Sequence, residues 1–236
     1  MKDEKEIYSI DYIIIGDTNV GKTNIIYRYR KGEFLNDDIT ATVGLEFSSK
    51  FVEINNRIFQ LKLWDTAGMD GFESIRKGFY KNAACAIIVY DITEKKTLES
   101  VDKWIEECNE NSDNILLKVL VANKSDLIQE GNNYEEEGKA VQKKYYIDMF
   151  FVSSALTGKN INKIFTESIK KLYDTISNEE NEGKEFQGIK KINEKINPDE
   201  SISIITYEEK EKNKNIEDKE DDNDNHKDSS NSCFII

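Results

Sequence analysis

Apolar residues run through this chain in blocks whose period changes from two to about 3.6 and back. SIDYIIIGD, from Ser9, predicts a buried strand entering a glycine turn, and TNIIYRYRKGEF follows with Ile25, Ile26 and Tyr29 at helical spacing. LEFSSKFVEI and RIFQLKLWD alternate as paired strands around Asn55-Asn56. ACAIIVYDIT is unbroken, as expected for a strand covered on both faces. LESVDKWIEECNE predicts a helix, LLKVLVANK a buried strand, YEEEGKAVQKKY a helix and DMFFVSS a short strand. NINKIFTESIKKLYDTI places Ile161, Ile164, Phe165, Ile169 and Leu172 on one helical face. Alternating strands and helices imply an α/β fold with a doubly wound sheet, right-handed crossovers and one built-in antiparallel hairpin. Ligands in such sheets bind at the carboxyl ends of the strands. There is no internal repeat.

The pattern stops near residue 176, and composition changes with it. The 236 residues are 38% hydrophobic and 33% charged, too polar for one continuous core. We therefore divide the chain into a folded domain, 1–176, and an acidic tail, 177–236, rich in Asn, Lys, Asp and Glu and expected to be disordered. SISIITY, the one longer apolar run in it, could form a strand or a docking segment, with transient exposure the favoured expectation. A net charge of −13 excludes a non-specific nucleic-acid binder, which needs a positive footprint. Three cysteines form no disulfide framework and suggest a reducing compartment. The single histidine, His226, lies in the tail, which argues against histidine catalysis and histidine-ligated metal. The start of the chain has no signal-peptide pattern, and no apolar run approaches the roughly 20 residues that span a bilayer.

Four motifs fall at predicted strand ends. In GDTNVGKT, Gly16 lets the chain turn sharply, and Gly21 lets the backbone approach a phosphate. The amides and the helix start that follow make an anion site. Lys22 reaches the outer phosphates, and Thr23 suits Mg²⁺. WDTAG puts Asp65 where it could hold Mg²⁺ through water, with the amide of Gly68 free for a terminal phosphate. In NKSD, Asp126 can accept from N1 and the exocyclic amine of guanine, while Asn123 ties the loop to its neighbours and the stem of Lys124 lies along the base. Adenine lacks that donor pair, and such mismatches are worth roughly 10⁴–10⁵-fold in selectivity. VSSAL offers backbone amides at Ser154 and Ala155 to the guanine oxygen. Between the first two motifs, DDITATVGLEF supplies a loop threonine to complete the Mg²⁺ shell: Thr42, with Thr40 the alternative. Phe34 either stacks against the base edge or packs as a helix-end core aromatic.

GDTNVGKT, TVGLEF, LWDTAG, IIVYDIT, NKSD and SSA, in this order, resemble the Ras superfamily of small GTPases, and within it the Rab family, over about residues 8–176. The resemblance implies a P-loop NTPase fold, a mostly parallel six-stranded sheet with five helices on its two faces. It also implies exchange between GDP and GTP forms with bound Mg²⁺. Two switch segments, roughly 36–47 and 67–80, would be ordered by the third phosphate and would recruit effectors. The implied nucleotide site runs from Gly16 through Asp17, Thr18, Asn19, Val20, Gly21, Lys22 and Thr23 to Asn24. It adds Phe34, Thr42, Gly68, Asn123, Lys124, Asp126, Ser154, Ala155 and Leu156. Thr23, Thr42 and Asp65 serve the metal, and Lys22, Thr42, Gly68 and Met69 stand at the reacting phosphate. An exchange factor, a GTPase-activating protein and a prenyl-binding chaperone are expected partners of a monomer that regulates vesicle or membrane traffic.

This chain departs from that pattern in places. The residue after DTAG is usually a glutamine that orients the attacking water. Here it is Met69, whose thioether donates no hydrogen bond and accepts only weakly. The next residue, usually Glu, is Asp70, the first switch is one residue longer between Phe34 and Thr42, and Leu156 replaces a usual lysine. Small GTPases with no arginine of their own start at about 10⁻⁴ s⁻¹, and Met69 is expected to hold this chain below that unaided. The alternatives are a GTP-bound scaffold with negligible turnover, or an ATP-using phosphotransferase, against which NKSD argues. The chain ends in CFII, which resembles a prenylation box on Cys233, its bulky last residue favouring geranylgeranyl. Only one terminal cysteine and no basic cluster accompany it, so the expected location is the cytoplasm, with reversible anchoring on the cytosolic face of intracellular membranes.

Overall fold

The structure, a computed structural model, describes residues 6–35, 45–66, 73–112, 115–128, 134–179, 188–192 and 202–205. Strand β1 (Ile7–Ile15) leads through the Gly16–Gly21 loop into helix α1 (Lys22–Lys31), which stops at Gly32 in the left-handed conformation, φ 77°. β2 (Leu45–Ile54) and β3 (Arg57–Thr66) form the antiparallel hairpin. Asn55 and Asn56, at φ 45° and 65°, supply the two positive φ angles that a tight hairpin turn needs. Then come α2 (Glu73–Tyr80), β4 (Cys85–Asp91), α3 (Lys95–Glu99), α4 (Val101–Asn111), β5 (Leu117–Asn123), a 3-10 turn over Ser125–Leu127, α5 (Tyr134–Lys144), β6 (Met149–Val152) and α6 (Ile161–Glu179).

The sheet runs β6-β5-β4-β1-β3-β2, with every pair parallel except the β2–β3 hairpin. Alternation along β1 divides the core. Ile10, Tyr12 and Ile14 face one cluster with Ile25, Ile164, Phe165 and Ile169 of α1 and α6. Ile13 and Ile15 face the other with Tyr80, Val101, Trp104 and Ile105. β4 is buried at every position, as its unbroken apolar run predicts.

Three features differ from expectation. The single helix predicted over 98–110 is two, α3 and α4, meeting at Ser100. α2 was not legible as a helix, because eight residues make barely two turns and give periodicity little to repeat. Two strands arise where the tail was expected to be disordered: β7 (Ile189–Ile192), antiparallel to β1, and β8 (Ile202–Ile204), parallel to β2, giving an eight-stranded sheet. The physical reason is an open ladder. β4 pairs β1 only from Tyr12 onward, so the stretch Ile7–Ile10 would leave its outer edge bare. β7 fills that position and buries Ile189 to 9% exposure. Among the described residues no helix is long and apolar enough to cross a membrane.

Candidate functional site

The predicted motifs meet at the carboxyl end of the sheet. Gly16 leaves β1 at φ 140°, and a Cβ there would lie 2.1 Å from the Val89 carbonyl oxygen of β4, so only glycine lets the loop turn. Gly21 stands immediately before α1 at φ 96°, and its Cβ would meet Asn123 Nδ2 at 2.4 Å. The first turn of α1 carries no acidic residue and no side-chain cap, so its amides and the positive end of its dipole remain available to an anion.

Lys22 is 6% exposed, and its Nζ donates to the carbonyls of Gly16 and Asp17, both at 2.8 Å. Burial pulls its pKa down to about 8, against the attraction of Asp65 and Asp17. Thr23 Oγ1 donates to Asp65 Oδ2 at 2.6 Å. Burial pushes Asp65 up to about 6, opposed by Thr23 and Lys22. Its other oxygen, Oδ1, is buried with no hydrogen-bond partner. A cation or its bound water would satisfy that oxygen, so Thr23 and Asp65 fit a hard divalent ion such as Mg²⁺. No cluster of three or more His, Cys, Asp or Glu side chains that could hold a metal ion exists among the described residues.

The base-side loops are tied to this centre by Asn123, 1% exposed. Its Nδ2 donates to the Val20 carbonyl at 2.9 Å, and its Oδ1 accepts from Ala155 N at 3.2 Å and Ser153 Oγ at 3.3 Å. One side chain thus links the phosphate loop, the end of β5 and the loop after β6. Lys124 adopts φ 66°, and its Nζ pairs with Asp91 Oδ2 at 2.7 Å. Burial works to raise Asp91, but Lys124 and Thr93 outweigh it and hold the carboxyl below its ordinary value. Asp126 is exposed and accepts a short hydrogen bond from Ser154 Oγ. Ala155 is buried. Leu156 is half exposed, and its carbonyl accepts from Arg28 Nη2 at 2.6 Å. Thr18 is half-buried in the loop and Asn24 half-buried in the first turn of α1, Val20 is buried, and Asn19 takes a positive φ of 64°. Phe34 is partly buried and packs against the α1/α6 cluster. Thr42 and its alternative Thr40, Gly68, Met69 and Cys233 lie outside the described residues, as do most of 36–47 and the first part of 67–80.

Sequence reasoning missed a second ring of residues. Trp104 Nε1 donates to Asp17 Oδ1 at 2.7 Å, fixing the phosphate loop to α4. The Arg76 guanidinium, 1% exposed, lies 4.8 Å from the Trp104 ring centre and forms two hydrogen bonds to Glu107, at 2.8 and 3.0 Å. Tyr80 OH donates to the same carboxylate at 3.1 Å. So α2 is latched to α4 and, through Trp104, to the phosphate loop. Trp104 and Glu107 read from sequence as ordinary positions of an amphipathic helix, and their spacing alone could not have exposed the link.

A family model described as the Ras family matches residues 11–174. "Ras-related protein RABA5c" of Arabidopsis thaliana is 37% identical over 172 residues, covering 73% of this chain and 79% of that protein. "Ras-related protein Rab-11B" of Dictyostelium discoideum is 37% identical over 166 residues, covering 70% and 74%. "Ras-related protein YPT3" of Nicotiana plumbaginifolia is 34% identical over 177 residues, covering 74% and 79%.

Proposed function

The chain belongs to the Ras family of small GTPases and is Rab-like, and from that premise we propose a guanine-nucleotide switch that recruits effectors to membranes and turns over slowly. The observation that carries the nucleotide reading is Asn123, whose three hydrogen bonds bring the phosphate loop and both base-side loops into one rigid unit.

In this reading the amides of the Gly16–Thr23 loop and the start of α1 receive the phosphates. Lys22, already stripped of water, exchanges two carbonyl acceptors for phosphate oxygens, whose negative charge favours its protonated form. Asp126, positioned by Ser154, accepts from the guanine edge; the Ala155 amide reaches the guanine oxygen only by sharing its bond to Asn123 Oδ1, while the Ser154 amide is held by the Lys159 carbonyl. Thr23 and Thr42 would hold Mg²⁺ directly and Asp65 through water. When bound, that ion neutralises charge on the outer phosphates. Gly68 offers its amide to the terminal phosphate. Position 69 normally orients the attacking water, and a thioether cannot do so. Slow hydrolysis follows, with segments 36–47 and 67–80 holding their GTP-bound form long enough to capture effectors. An activating protein, an exchange factor and a prenyl-binding chaperone complete the cycle, and a prenyl group on Cys233 holds the chain at the cytosolic face of intracellular membranes.

Met69 also favours a second reading, a GTP-bound scaffold with negligible turnover. Single-turnover GTP hydrolysis by the full chain and by Met69→Gln separates the two. A wild type below about 10⁻⁴ s⁻¹ that the substitution accelerates tenfold or more supports a Met69-limited switch. A wild type with no measurable turnover that nonetheless retains GTP favours the scaffold. Equal, family-like rates in both proteins would refute the role given to Met69.

A further inference from the structure

The tail strands occupy particular edges. β8 lies parallel on the outer edge of β2, with Phe51 opposite Ile202, Val52 opposite Ser203 and Glu53 opposite Ile204. The Ile205 amide donates to the Glu53 carbonyl at 2.9 Å, and Ile205 packs against the α1/α6 core cluster. At the other end, the Gly188 carbonyl accepts from Asp11 N at 3.0 Å, and Ile189 enters the same cluster. Gly188 sits at φ 73°, and a Cβ there would lie 2.3 Å from Ala84 N and 2.4 Å from Asn82 O. That turn joins α2 to β4, so the tail is threaded through a gap only a glycine fits. Lys191 pairs with Glu6 beside it.

The two attachments are four strand spacings apart, about 19 Å, and residues 193–201 can extend about 30 Å, so one chain reaches both. Each attachment is short. β7 has four residues and β8 three, and Ile204 is 76% exposed. Elements with so few buried apolar groups open at low free energy. The edge they cover is a template for strand addition.

We propose that the two tail strands, residues 188–192 and 202–205, are a releasable strap, that β8 is the chain's own ligand for the outer edge of β2, and that the edge beneath is a strand-accepting site. The partner it fits is an extended, proline-free segment running parallel to β2, with apolar side chains spaced as Ile202 and Ile205. Strap and partner exclude each other, so a partner captures this edge only as the tail leaves. The proposal does not rest on the nucleotide reading.

Hydrogen exchange on the full chain tests it, with two remote variants. Gly188→Val forces a side chain into the Asn82–Ala84 backbone. Ser203→Pro removes an amide that, two residues before Ile205, also points at β2. The Glu53 and Phe51 amides face β8, whereas those of Val52 and Ile54 face β3. Both variants are expected to speed exchange at Phe51 and Glu53 at least tenfold while Val52 and Ile54 stay protected. A fluorescent peptide of residues 200–207 should then bind either variant at least tenfold more tightly than wild type. Unchanged exchange in both variants overturns the strap. Faster exchange with equal peptide binding overturns the strand-accepting site. Retention of labelled GDP, read on the same samples, reports separately on the nucleotide site.

Discussion

Asn123→Ala is the sharpest test of how the site is assembled. The substitution deletes one donor and one acceptor at a position 1% exposed. The Val20 carbonyl loses its 2.9 Å donor, and Ala155 N loses its acceptor at 3.2 Å. Ser153 Oγ, at 3.3 Å, can rotate to another acceptor and costs least. Two buried backbone groups left unsatisfied cost about 1–3 kcal/mol each, with water entering the new space at the low end. We therefore expect a loss of about 2–4 kcal/mol. For a domain of this size that lowers the melting midpoint on the order of 4–16 °C. Thermal unfolding of the nucleotide-free protein reads the structural share, and labelled-GDP release reads the share felt by the ligand. Wild-type stability together with wild-type GDP release would refute the reasoning, because it would mean that three converging bonds hold nothing together.

Two other outcomes follow from buried charge. Glu107→Gln keeps the shape but removes the carboxylate facing Arg76, and breaking such a buried pair costs about 3–5 kcal/mol, read as a fall in the urea midpoint; replacing both residues by leucine should cost far less. Asp65 sets a pH dependence: its folded value, about 6, exceeds the ordinary 3.8, so the folded state holds the extra proton in between and stability falls as pH rises from about 4 to 6. Denaturant midpoints of Asp65→Asn against wild type across that window should diverge as pH rises, the variant becoming relatively more stable, and a constant difference would contradict it.

Much of this was legible in the chain because strand and loop signals are local. The unbroken run in β4, the alternation in β2 and β3, and the glycines at 16 and 21 each follow from requirements satisfied within a few residues. The placement of Asn123, Asp126, Ser154 and Ala155 at neighbouring strand ends followed from fold topology. What escaped is non-local. Arg76, Trp104 and Glu107 come from α2 and α4, and only their packing reveals one latch. The helix break at Ser100 leaves α3 without a buried residue, so periodicity could not mark it. β7 and β8 are too short to be read against a polar tail, and they exist because β1 and β2 offer open edges.

The central claim is that these loops select guanine nucleotides. Competition against labelled GDP on the full chain, with GDP, GTP and ATP as competitors, tests it most directly. The account predicts displacement by GDP and GTP at near-stoichiometric levels and none by ATP until a roughly 10⁴-fold excess. Displacement by ATP at levels similar to GTP would contradict the roles given to Asp126, Ser154 and Ala155, and with them the account of the site.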